Sequence, residues 1–215
     1  MFPDFLENPS DVAAPLLLGC TLTRTITLNG EKHKLVARIV ETEAYDQDDP
    51  ASHAFGGPSE RNAAMFGPAG HLYVYVSYGM HHCCNVVCGP KGFGSGCLVR
   101  AVEPLEGVEV MRELREAGRM SKAHKRCTGK EQAERTRKHP LKLRDLTNGP
   151  GKVCAALNID KELYGHDLTV EPLVLDFAPL LPGETIGRSP RVGISKNANA
   201  QKRFFIEGNV FVSRA

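Results

Sequence analysis

Two strand-like runs meet at Asn29-Gly30. "TLTRTITL" precedes the pair and "EKHKLVARIVETEAY" follows it. Asn-Gly supplies the two positive φ angles of a tight primed turn, so the runs fold back as antiparallel neighbours. That pair commits the chain to an antiparallel sheet. The second run ends oddly. Its apolar stretch, "LVARIV", leads straight into Glu41, Thr42, Glu43, Ala44 and Tyr45, then into more acids and a lone histidine, His53. The pattern allows two readings: a strand fraying into an acidic loop, or a carboxylate set as a base in a pocket that holds something aromatic.

The rest of the chain extends the same architecture. "HLYVYVSYGMHHCCNVV" predicts a second hairpin: Leu72, Val74 and Val76 alternate with Tyr73, Tyr75 and Ser77, and Tyr78-Gly79 lies at or near the turn. "NPSDVAAPLLLGC" reads as a short helix capped by Asn8 or Ser10 and limited by Pro15. "CLVRAVEP" is a strand. "PLEGVEVMRELREAG" is an amphipathic helix with Val108, Met111 and Leu114 on one stripe. Residues 118 to 146 read as basic and loop-rich, and "NGPGKVCAAL" starts a helix at Pro150. "LTVEPLVLDF", "RSPRVGI" and "RFFIEGNVFVS" supply closing strands. With no repeat and no second domain in 215 residues, the expectation is a single α+β domain over residues 1–215. A curved antiparallel β-sheet forms its core, and helices surround it.

Charge narrows the partner. The net charge of +2 hides an asymmetry: residues 117 to 144 hold ten Lys or Arg against two Glu, and residues 186 to 215 hold six against one. A basic face on a nearly neutral chain suits a polyanion such as nucleic acid; a solvated charged loop is the plainer alternative. The longest apolar run, "VAAPLLLGC", is too short to span a membrane and contains Pro15. The acidic N-terminus has no signal-peptide pattern. Seven cysteines with no C-x-x-C pair signal neither a disulfide framework nor a zinc ribbon. The setting is therefore expected to be intracellular, cytoplasmic in a bacterium or nuclear in a eukaryote.

Four features carry chemistry. Glu43, at a strand end beside aromatics, is a candidate general base if desolvated; Glu41 shares its strand face and is the rival. Tyr73, Tyr75 and Tyr78 are either half-buried core edge or platforms for nucleobases. Arg100, inside an apolar strand, needs an anionic partner: a structural ion pair, or Glu43 with a water held between them. His81, His82, Cys83, Cys84 and Cys88 are zinc-type ligands, but neighbours on a strand face opposite ways, so no metal site is expected. The loop "GPKGFGSG" lacks the G-K-[ST] ending of a phosphate loop.

In order along the chain, "RIVETEAY", "ASHAFGG", "ERNAAMFGPAGHLYVYVSYGMHHCCN", "CLVRAVEPLEGVEVM", "NGPGKVCAAL", "PRVGI" and "RFFIEGNVFVS" resemble the alkyladenine (methylpurine, or 3-methyladenine) DNA glycosylase family. The resemblance runs from about residue 10 to residue 213. It implies a monofunctional DNA glycosylase of base excision repair. Such an enzyme flips 3-methyladenine, 7-methylguanine, hypoxanthine or ethenoadenine out of double-stranded DNA. It hydrolyses the N-glycosidic bond with water and leaves an abasic site. No cofactor or metal is implied, and a monomer suffices. The resemblance assigns Glu43 to activating the water. Arg100, and the backbone carbonyl near Val192, help to hold that water. Tyr45, His53 and Tyr75 enclose the flipped base, Asn85 crowds the 2-amino group of guanine, and Leu98 is a minor pocket wall. Tyr78 intercalates where the base leaves. Ser77 and the run from His81 to Cys84 depart from the family pattern. A lesion-binding module without chemistry would lack the Glu43–Arg100 pair; a metal-dependent hydrolase would need the His/Cys cluster.

Overall fold

The computed structural model describes residues 4–124 and 141–213. Eight antiparallel strands form one curled sheet. They are β1 (Thr21–Leu28), β2 (Glu31–Asp46), β3 (Leu72–Ser77), β4 (His81–Val87), β5 (Ser95–Glu106), β6 (Leu173–Asp176), β7 (Ile186–Ser189) and β8 (Arg203–Ile206). The order is β3-β4-β5-β2-β1-β6, with β8 bridging β2 and β7. The helices are α1 (Ser10–Leu16), α2 (Val108–His124) and α3 (Pro150–Ala156). The α+β expectation therefore holds.

The Asn29-Gly30 turn is formed as expected. Asn29 (φ 53°) and Gly30 (φ 85°) are both left-handed, and β1 pairs β2 from Leu28↔Glu31 to Thr21↔Arg38. β2 does not fray. It continues to Asp46, and every residue from Ala37 to Ala44 is buried. β2 lies between β1, β5 and β8 at the centre of the sheet, with α1 across one side.

Of the three irregularities where β2 meets β5, two lie beside Arg100. The register passes from Ile39↔Val102 to Glu41↔Ala101, then to Thr42↔Val99, so Val40 and Arg100 are each left without an opposite residue. Such bulges re-aim a side chain. Here they bring Arg100 onto two glutamates.

Some local expectations are corrected. Pro9 caps α1, not Asn8 or Ser10, and no side chain accepts there. Ser10 is already helical, and its N–H donates to Asp46 Oδ1 at 3.1 Å. Of "RSPRVGI" only Arg188 and Ser189 are strand; residues 191–194 form a loop. The stretch read as loop-rich from residue 118 is helical to His124, and residues 125–140 lie outside the described ones. α3 starts at Pro150 as expected.

Candidate active site

The sheet register aligns four side chains. Tyr73 of β3 opposes Asn85 of β4, Asn85 opposes Leu98 of β5, and Leu98 opposes Glu43 of β2. Directly opposed residues share a face, so this row crosses one side of the sheet. Two residues along, Tyr45 joins the face opposite Gly96, a position without a side chain. Tyr75, two residues along β3, opposes Cys83.

A cavity opens on this face. Tyr45, His53, Tyr75 and Asn85 line it together with Ala51, Met65, Tyr73 and Ile194. Tyr73 and Tyr75 stack with ring centroids 5.6 Å apart, and His53 meets Tyr75 edge-on at 4.5 Å. His53 stands at the exposed rim; its carbonyl accepts from Asn62 Nδ2 at 2.8 Å. Asn85 is buried and its amide donates to Tyr73 O at 3.4 Å. Burial raises the Tyr45 and Tyr75 hydroxyls well above the ordinary tyrosine pKa, so both remain neutral donors.

Glu43 lies beneath the cavity and is completely covered. Its Oε2 accepts from the Tyr45 hydroxyl at 2.8 Å, its Oε1 accepts from the Val192 N–H at 2.8 Å, and Arg100 Nη1 is 3.3 Å away. Cavity and carboxylate meet at Tyr45. Leu98 is buried between Asn85 and Glu43 rather than on the cavity wall. Of Val192, the expectation named the carbonyl; the group found on Glu43 is the N–H.

The rival carboxylate has a different environment. Glu41 accepts from Arg100 Nε (3.0 Å), Arg203 Nε (2.6 Å), Ser213 N (2.7 Å) and Ser213 Oγ (2.8 Å). Both its oxygens are used to tie β2, β5, β8 and residue 213 together.

Tyr78 is elsewhere on the surface, at the tip of the β3–β4 hairpin. It is 86% exposed with φ 49°, and Gly79 follows at φ 66°. An exposed aromatic held left-handed is costly without a function, since such backbone is strained for a non-glycine residue. It borders a groove with His81, Arg115, Gly149, Pro150, Gly151 and Lys152. Gly149 to Lys152, at the start of α3, thus line the same groove as Tyr78. A second polar depression collects Arg100, Arg144, Asn148 and Lys152. On the hairpin itself Cys83 opposes Tyr75 and Cys84 opposes Val74, so the two cysteines face opposite ways.

Sequence reasoning missed Arg191 and Asp49. Arg191 is buried, ion-paired with Asp49 Oδ2 at 2.7 Å, and donates to Ala44 O at 2.9 Å. Its guanidinium lies 4.6 Å from the centre of the Tyr45 ring. Burial raises the Asp49 pKa, but hydrogen bonds and charge from Arg191, with the Ala51 N–H, outweigh that and hold it at about 2. A basic residue next to Val192 was visible in "PRVGI"; that its partners lay near residues 44–49 was not.

A buried carboxylate braced by a buried arginine, beside a cavity lined with aromatic side chains, is a set of groups suited to a hydrolase. The chain matches the family model described as methylpurine-DNA glycosylase over residues 4–210. It is 42% identical to a "Putative 3-methyladenine DNA glycosylase" of Nitrosospira multiformis, covering 98% of this chain and 92% of that one. A protein of the same description from Methanoculleus marisnigri is 40% identical, with 98% and 96% covered. One from Agrobacterium fabrum is 44% identical over 82% of this chain and 77% of its own. The chain belongs to the methylpurine-DNA glycosylase family, DNA-repair hydrolases acting on N-glycosidic bonds.

Proposed function

We propose that this protein is a monofunctional glycosylase that extrudes damaged purines from duplex DNA and hydrolyses their N-glycosidic bonds with water activated by Glu43. The observation that carries the reading is the row from Tyr73 to Glu43 across the sheet, which sets a buried carboxylate beneath a slot of three tyrosines and a histidine.

The chemistry follows from charge. Positive charge develops at the glycosidic carbon as the purine departs. A carboxylate beside it stabilises that charge and takes a proton from water. Arg100 and the Val192 N–H fix the orientation of Glu43. The Tyr45 hydroxyl covers Oε2, so water and sugar take their place at the carboxylate as the base settles against the Tyr45 ring.

Taking a base out of the helix costs roughly a few kcal/mol, least for a poorly paired lesion. Stacking between Tyr45, Tyr75 and His53 offsets about 1–3 kcal/mol per base, and Tyr78 fills the gap left behind. Alkylation at N3 or N7 makes the purine cationic, hence a better leaving group and a cation–π partner for tyrosine. Asn85 crowds an exocyclic 2-amino group. The substrates proposed are 3-methyladenine, as the relatives' names suggest, with 7-methylguanine, hypoxanthine and ethenoadenine. The enzyme works as a monomer, with no cofactor, and leaves an abasic site with the strand uncut.

The test is single-turnover base release from a duplex carrying one hypoxanthine or ethenoadenine, and from alkylated DNA, with a chelator present. Wild type should release base and Glu43→Gln should bind equally but release none. Wild-type rates in Glu43→Gln would remove Glu43 as the base.

A further inference from the structure

Tyr73 is 1% exposed and packs among Ala54, Met65 and Val87. A buried phenol must place its proton on an acceptor. The hydrogen bond at this hydroxyl among the described residues is to His53 Nδ1, 3.0 Å away. A fully buried phenol with that partner donates its proton there. Arg61 stands near enough for its charge to act on both groups. Nδ1 is then the lone-pair nitrogen, and the imidazole proton sits on Nε2.

The other groups around His53 agree with a neutral ring. Tyr75 meets it edge-on, and Tyr164 stands behind Tyr73 with centroids 6.1 Å apart. Arg61 is the charged group facing it among the described residues, and it opposes a second positive charge. His53 stands at the exposed rim, but the side of its ring packed against Tyr73 and Tyr75 is covered; that cover, then the Arg61 charge, lowers its pKa below the ordinary value. Burial pushes Tyr73 up to about 12, so the phenol keeps the proton it donates.

We propose that Tyr73 is a positioning residue that, backed by Arg61, holds His53 as the neutral Nε2–H tautomer and so keeps this wall of the cavity uncharged toward cationic purines. The inference rests on the cavity being the base pocket. An N3- or N7-alkylated purine brings its own positive charge into the cavity and displaces water from it, so an imidazolium beside it is repulsive. A neutral imidazole lets the same wall accept charged and uncharged lesions alike.

The tautomer is read directly by nitrogen-edited NMR of the imidazole in the free protein, with His53→Gln assigning the signal. The expected spectrum has a lone-pair Nδ1 and a protonated Nε2. Tyr73→Phe should raise the titration midpoint by about half a unit to one unit. Arg61→Gln, at an exposed position, should also raise it. A protonated Nδ1 in wild type, or a midpoint unmoved in both variants, overturns the proposal; if Tyr73→Phe fails to fold, the wild-type tautomer and Arg61→Gln decide. The link to substrate charge is read in single-turnover rates from mildly acidic to mildly alkaline pH. Tyr73→Phe should lose 7-methylguanine release several-fold more than hypoxanthine release at the acidic end. Equal losses on both bases sink that link. Absence of release from wild type would instead refute the base-pocket reading, while the spectrum still judges the tautomer.

Discussion

Glu41 and Glu43 are two residues apart on one strand face, equally buried, and both touch Arg100. Their partners separate them. Glu41 is surrounded by two guanidiniums and both donors of Ser213, a set of partners that suits a structural carboxylate. Breaking one side of such a buried pair costs about 3–5 kcal/mol. Glu41→Gln should therefore lower the melting temperature sharply, with any loss of activity following the loss of folded protein. Glu43→Gln, which gives up one ion pair of Arg100 but keeps an oxygen for the Val192 N–H, should lower melting less and remove base release. The two variants, melted and assayed together, separate a structural carboxylate from a reactive one. Asn85 is the second residue whose role is read by substitution. Asn85→Ser shortens the side chain in the middle of the row, so release of undamaged guanine from duplex DNA should rise. An unchanged guanine rate would end its assignment as a steric gate.

At the scale of elements, the loop after β7 is the informative one. Arg191 ties it to Asp49, and the next residue delivers the N–H that holds Glu43. The Asp49 carboxyl has its folded-state pKa depressed to about 2. Its contribution is thus fully present above the unfolded value and disappears as pH falls through the folded one. The depression corresponds to about 2 kcal/mol. Asp49→Asn should melt several degrees below wild type at neutral pH, and the gap should close as pH approaches 2. A gap constant with pH would mean that packing, not charge, holds the loop. This loop also shows where the sequence stops being legible. The hairpins were readable because Asn29-Gly30 and the alternation from Leu72 to Ser77 are local signals. Arg191 and Asp49 are far apart in sequence, and nothing local in either says that they meet. The same holds for the bulge at Arg100. Its charge marked it as special, but only the register shift shows why it reaches both glutamates.

For the whole molecule, the cavity and the groove at the hairpin tip are lined by different residues, with Arg100 reaching both Glu43 and the depression beside the groove. The cavity lies on one face of β2 to β5. The exposed Tyr78 borders a groove that continues to Arg115 and Lys152, with Arg144 in the adjoining depression. If lesion capture resides at the hairpin tip and general affinity in the basic groove, substitutions in the two places must fail differently. Tyr78→Ser removes the group that fills the vacated stack. It should weaken binding to a lesion duplex much more than to plain duplex and leave the salt dependence intact. Replacing Lys152 and Arg144 together by Gln removes two of the positive charges proposed to meet phosphates. It should weaken both duplexes alike and reduce the slope of log affinity against log salt by about two, since each contact releases about 0.9 counterion. Both quantities come from one set of fluorescence titrations over a salt series. Equal weakening of lesion and plain duplex by Tyr78→Ser would make the hairpin tip part of the general DNA grip. An unchanged slope in the double variant would place the phosphate contacts elsewhere on the basic surface.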